Sequence, residues 1–166
     1  MGDPVITAAM SMVIGITRKE AWCAITDPAQ VMRWDESMLA LLEGAPDYPQ
    51  VGQHVRWRYR FRQVPIVLHD RPLEVVLHER LRCSIDLGLF HFEQTYSLRA
   101  GSGRTQVGLR LQTLNSISTL HDQVDRFSVR RIASDFVYGR LHGLQKWCNS
   151  QNGDARVAKP AAGPQP

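Results

Sequence analysis

The sequence is poor in the residues that usually announce chemistry. Cysteine occurs only three times in 166 residues, as Cys23, Cys83 and Cys148, widely spaced and without a CxxC pair. That excludes a disulfide framework and a zinc ribbon, and is the usage of free, mostly buried thiols in a reducing compartment. No apolar run approaches the roughly 18 residues a membrane-spanning helix needs, so stable membrane insertion is not expected. The six histidines show no HExxH or related spacing, so no metal is expected. GxGxxG, P-loop and GxSxG motifs are all missing, which removes the common nucleotide cofactors and the hydrolase nucleophile elbow. The first residues lack a basic region followed by an apolar core, and the expected compartment is the cytoplasm.

What is present is an ordinary globular composition, 43% hydrophobic and 22% charged, in a length that suits one core. A formal charge of +4 leaves nucleic acid, anionic membrane and acidic ligands open and demands none of them. The stretch "QNGDARVAKPAAGPQP" from Gln151 has almost no apolar bulk. It is expected to be a disordered tail over 151–166, leaving a single domain over 1–150.

The periodicity changes along the chain in a definite order. "VITAAMSMVIGI" (Val5–Ile16) reads as a strand. Thr17 with Glu20 three residues on forms a capping-box pattern that opens a short helix. Asp27-Pro28 ends that helix and starts a second. Strand signals then follow one another to Asn115: "LALLEG", "HVRWRYRFR", "IVLHDRPLEVVL", "RLRCSIDL", "FHFEQTYSLR" and "TQVGLRLQTL". A helical pattern runs from Thr119 to Asn149. The reading is α+β: a seven-stranded antiparallel sheet, two short helices after the first strand, and a long C-terminal helix that covers one sheet face.

This order, and several short motifs within it, resemble the START-like (SRPBCC) superfamily with its helix-grip fold. "EAWCAITDPAQVMRWDE" is similar to the family's opening, and "VGQHVRW", "SGRTQV" and "LHGLQKW" to its later motifs. One departure is Arg104, where the family usually has glycine before Thr105. The resemblance covers nearly the whole domain, and its closest feel is to the polyketide cyclase/dehydrase and lipid-transport branch. It implies a curved sheet wrapped around the last helix, with a cavity between them.

The stretch "HVRWRYRFR" tests one alternative. Val55, Trp57, Tyr59 and Phe61 alternate with Arg56, Arg58, Arg60 and Arg62, so on a strand the two sets face opposite ways. An RNA-stacking surface needs bases and phosphates held from the same face. The aromatics are therefore expected inward and the arginines outward, neutralised across strands by Glu74, Asp86 and Glu93, with no nucleic-acid partner.

Candidate site residues follow from the same parities. On the last helix Val129, Ile132, Ala133, Phe136, Gly143, Leu144 and Trp147 share a stripe with Arg140 near its centre. Arg140 is either the anchor for a ligand oxygen, or is paired with an internal acid, or snorkels to the helix edge. The small Ala133, Gly139 and Gly143 hint at room kept for something. In "IVLHDRPLEVVL", Leu73, Val75 and Leu77 read as inward, and the same parity brings in His69 and Arg71 unless Pro72 shifts it. Gln94 and Tyr96 share parity with Phe92 and Leu98, as polar points in the lining or as satisfied core residues. Trp34, Trp57, Tyr59 and Phe136 complete the expected wall, and Cys83 is expected to pack inward.

Taken with the resemblance, these residues imply a hydrophobic or aromatic small molecule held between sheet and helix, with no cofactor. A cyclase-like enzyme would use Arg140, with Tyr59 or His69, on carbonyls. A non-catalytic lipid or metabolite carrier would need one polar anchor. A module of the chaperone-activator kind would act through its outer surface. A homodimer is compatible with each.

Overall fold

The computed structural model describes residues 5–114 and 125–157, with side-chain surroundings through 152. The elements run β1 (Thr7–Ile14), α1 (Arg18–Thr26), α2 (Pro28–Trp34), β2 (Met38–Glu43), β3 (Val55–Phe61), β4 (Val64–Val76), β5 (Arg80–Leu87), β6 (Phe90–Ala100), β7 (Thr105–Thr113) and α3 (Arg126–Val157). The seven strands form one antiparallel sheet in the order β1-β7-β6-β5-β4-β3-β2. This is the expected helix-grip arrangement. The helical pattern over 119–124 lies outside the described residues. At the other end α3 continues through Val157, into the segment expected as a tail.

Local chemistry accounts for the entry helices. Thr17 accepts from the Glu20 amide at 3.3 Å, and the Glu20 carboxylate accepts from the Thr17 amide at 2.8 Å. Asp27 then accepts from the Ala29 amide at 3.0 Å and Pro28 occupies the first helical turn, so α2 starts where α1 stops.

β3 has two unlike faces. Val55, Trp57 and Tyr59 are buried, whereas Arg56, Arg58 and Arg60 are exposed. Arg62 and Gln63 both have positive φ (45° and 70°), forming the two-residue turn that reverses β3 into β4. The outer acids serve other arginines than expected: Glu74 pairs with Arg80 and Arg82, Glu93 with Arg82, and Asp86 with Arg71. Across β3, Arg58 and Arg60 face Val67 and Pro65, which offer no charge, and Arg56 pairs instead with Glu43 at 2.6 Å.

The inner face packs on α3, whose Val129, Ile132, Ala133, Phe136, Val137, Leu141, Leu144 and Cys148 are all buried at helical spacing. α3 runs beside β1 and β7 and also beside α2. Its two central glycines serve different ends. A Cβ on Gly143 would lie 2.7 Å from the Trp34 carbonyl oxygen, so that glycine permits backbone contact with the end of α2. A Cβ on Gly139 would meet nothing within 4 Å.

Gly143→Ala should therefore destabilise the protein by about 1–3 kcal/mol, because a backbone atom must yield. Gly139→Ala should stabilise it by up to about 1 kcal/mol through helix propensity. Urea denaturation of the two variants checks the contrast.

Candidate functional site

The site centres on Arg140, which α3 directs at the corner where α2 turns into β2. Its side chain is only 7% exposed. The Nε–H donates to the Tyr96 hydroxyl at 2.9 Å, and Nη1 lies 3.5 Å from Asp35 Oδ2. The guanidinium carbon sits 5.3 Å from the Trp34 ring and 5.3 Å from the Phe136 ring. Burial works against this charge, but Tyr96 and the Asp35 carboxylate outweigh it and hold the guanidinium's proton more firmly than usual. Of the two structural alternatives the sequence leaves open for Arg140, the internal acid is the one observed: Asp35, itself held by accepting from the Ser37 amide at 3.0 Å. Trp34 is fixed by donating from Nε1 to the Ala24 carbonyl at 2.8 Å.

Arg140 borders two spaces. On one side lies an open groove of about 490 Å³ floored by Trp34, Tyr59, Phe136 and Arg140, with Gly139 in its wall. Arg33, Glu36 and Lys146 give it a charged rim, with His142 beside them. On the other side, toward the sheet, lies a hollow of about 20 Å³ bordered by Thr26, Tyr48, Trp57, Asp70, Gln94 and Tyr96. The expected cavity between sheet and helix is, on this side, a space about the size of one water molecule. Large side chains, Trp57, Tyr96 and Arg140 among them, occupy the rest. Of the two spaces that Arg140 borders, the groove is the one adequate for an organic molecule. A second surface pocket of about 610 Å³, lined by Ile16, Cys23, Trp147 and Cys148 among others, lies away from Arg140.

The hollow is polar. Asp70 is buried on the inner face of β4 and accepts from the Tyr48 hydroxyl at 2.8 Å. Burial pushes its carboxyl above the ordinary aspartate range. Asp70 Oδ1 and Gln94 Oε1 have no hydrogen-bond partner among the described residues. Burial likewise raises the Tyr59 hydroxyl to about 12 and pushes the Cys83 thiol up, so both keep their protons near neutrality.

Of the residues expected at the site, Trp34, Tyr59, Phe136 and Arg140 meet at the groove, and Trp57, Gln94 and Tyr96 join Arg140 at the hollow. His69 and Arg71 do not. They stand on the outer face, His69 with Nδ1 2.8 Å from His54 Nε2 and Arg71 donating to Asp86 at 2.8 Å. The cause is a β-bulge between Pro72 and Glu74. Val75 keeps its inward place, but Leu73 is 41% and Leu77 65% exposed, and before the bulge Leu68, Asp70 and Pro72 are the inward set. Sequence reasoning missed Asp70 for that reason. It also missed Asp35 and Tyr48, of which Asp35, next to Trp34 at the end of α2, carried the nearest thing to a signal.

Comparison with solved structures places the fold. A START superfamily protein from Mycobacterium smegmatis superposes with a TM-score of 0.71 at 11% identity, covering 87% of this chain and 98% of that one. An HSP90 activator from Plasmodium falciparum gives 0.63 at 11% identity over 87% of this chain and 96% of its own. A protein of the dynemicin biosynthetic locus gives 0.58 at 17% identity, over 83% of this chain and 46% of that one. The chain therefore has the START-like helix-grip fold. Its sequence matches no protein-family model and no curated protein at a significant level. No helix among the described residues is long and apolar enough to cross a membrane.

A carboxyl raised by burial stabilises the fold most below its unfolded value, and that contribution is lost as pH rises through the folded one. Asp70→Asn keeps an acceptor for the Tyr48 hydroxyl and removes the ionisation. Its melting temperature should exceed that of the parent at pH 8, with the gap shrinking toward pH 4; a gap that stays constant with pH would contradict the assignment.

Proposed function

We propose that this protein binds a small molecule with a flat apolar or aromatic body in the groove between the α2–β2 corner and α3, with Arg140 as its polar anchor. The observation that carries this reading is the position of Arg140, a guanidinium among aromatic rings on the floor of a groove of about 490 Å³. That volume falls within the roughly 300–1,000 Å³ typical of small-molecule sites. Trp34, Tyr59 and Phe136 supply apolar contact area, and Arg140 supplies orientation. A carboxylate or carbonyl oxygen is the natural complement of a guanidinium.

The enzymatic form of the reading is ring closure on a poly-carbonyl chain, and it uses the same residues. Arg140 would polarise a carbonyl, and Tyr59, protonated up to about pH 12, would donate to a second oxygen. His69 has no part in it, since it stands on the outer face. Rate would come mainly from holding a flexible chain in one geometry. The likeness to a protein of the dynemicin locus supports this form. A second reading, a protein-interaction module, is favoured by the largely filled interior and by the likeness to an HSP90 activator.

Titration with 2-naphthoate, followed by tryptophan fluorescence, tests the groove. The double variant Asp35→Asn/Arg140→Met removes the anchor without stranding a buried carboxylate, and should weaken binding by about ten- to a hundredfold. Gly139→Leu projects into open space and should abolish binding while keeping the melting temperature. If 2-naphthoate binds equally to the parent and both variants, the groove is not the site.

A further inference from the structure

The hollow behind Arg140 is built for one kind of guest. The polar side chains on its sheet side are nine-tenths or more buried: Asp70 is 9% exposed, Gln94 4% and Tyr96 2%. Two of their atoms, Asp70 Oδ1 and Gln94 Oε1, lack any hydrogen-bond partner among the described residues, and both are acceptors. Several of the donors nearby are directed elsewhere. Arg140 Nε–H donates to Tyr96, Nη1 faces Asp35, and the Tyr48 hydroxyl donates to the other oxygen of Asp70. Buried acceptors left unpaired are costly, and native interiors satisfy them with protein groups or ordered water. The volume of about 20 Å³ exceeds the roughly 10–15 Å³ that a single water needs, and little more.

We infer that the hollow receives one hydrogen-bond-donating group of water's size, and that the ligand of the Arg140 groove carries such a group, a hydroxyl or an amine, at the end that enters past Arg140. This rests on the groove reading, because Arg140 is the side chain common to both spaces. In the unliganded protein a water molecule fills the same role. The ligand's hydroxyl or amine replaces it and donates to Gln94 Oε1. An ether or a methylated analogue of the same shape brings no donor and leaves Gln94 Oε1 stranded as well. The site therefore distinguishes donor from non-donor ligands more sharply than it distinguishes their apolar bodies.

The experiment compares 2-naphthol with 2-methoxynaphthalene on the full chain, on Gln94→Leu and on Gly139→Leu, with calorimetric titration and a melting curve for each protein. Gln94→Leu removes one stranded acceptor at similar volume and should fold. The expected result is that 2-naphthol binds the parent at least about tenfold more tightly than its methyl ether. That preference should fall to about threefold or less in Gln94→Leu, with the ether's affinity unchanged. Gly139→Leu should lose both probes. Equal binding of the two probes to the parent, with both lost in Gly139→Leu, would overturn the donor inference and leave the groove standing. A preference for 2-naphthol undiminished in Gln94→Leu would likewise overturn the hollow as its source. If neither probe binds the parent, the groove reading and the donor inference fall together.

Discussion

A positive charge inside the protein dictates how the last helix sits. A buried guanidinium is costly unless paired and hydrogen-bonded, and Arg140 meets that demand by drawing on three parts of the fold. Asp35 comes from the α2–β2 corner, Tyr96 from β6, and the stacking rings from α2 and α3. Asp35 can face Arg140 because α3 approaches the end of α2 at backbone distance. Gly143, three residues past Arg140, makes that approach possible. A glycine that lacks a side chain and an arginine that needs a counter-charge are thus two halves of one packing solution. The groove floor is the exposed edge of that solution.

The features legible in the sequence were those set by local period and local caps. The alternation of Trp57 and Tyr59 with Arg56, Arg58 and Arg60 needed only the pleat of a strand, and the stripe on α3 needed only 3.6 residues per turn. Thr17 with Glu20, and Asp27 with Pro28, marked the helix starts by their own hydrogen bonds. What the sequence concealed depended on a single extra residue. The bulge at Pro72–Glu74 breaks the period of two, so every side chain on its N-terminal side faces opposite to what a straight strand implies. His69 and Arg71 left the site and Asp70 entered it. Proline there signalled a disturbance without giving its sign.

The partner of Arg140 was hidden for a different reason. Asp35 and Arg140 are far apart in sequence, and their pairing follows from how the end of α2 meets α3, which no local pattern encodes. The cavity volume is of the same kind. Ala133 and Gly139 are small, but whether small residues leave space depends on the rings opposite them, and Phe136, Tyr96 and Trp57 reach far enough to fill most of it.

The interior is therefore unbalanced in hydrogen bonding. Arg140 spends its Nε–H on Tyr96 and only faces Asp35 as an ion pair, Tyr48 spends its hydroxyl on Asp70, and acceptors remain. Such a deficit can be met from within by a proton on Asp70, which burial already favours, or from without by a guest that donates. The two remedies compete for the same lone pairs, so they are thermodynamically linked. A donor guest supports the ionised carboxylate, and a proton on Asp70 lessens the need for a guest. The chemistry of the hollow and the charge state of Asp70 are one equilibrium seen from two sides, with Arg140 bordering both the hollow and the groove.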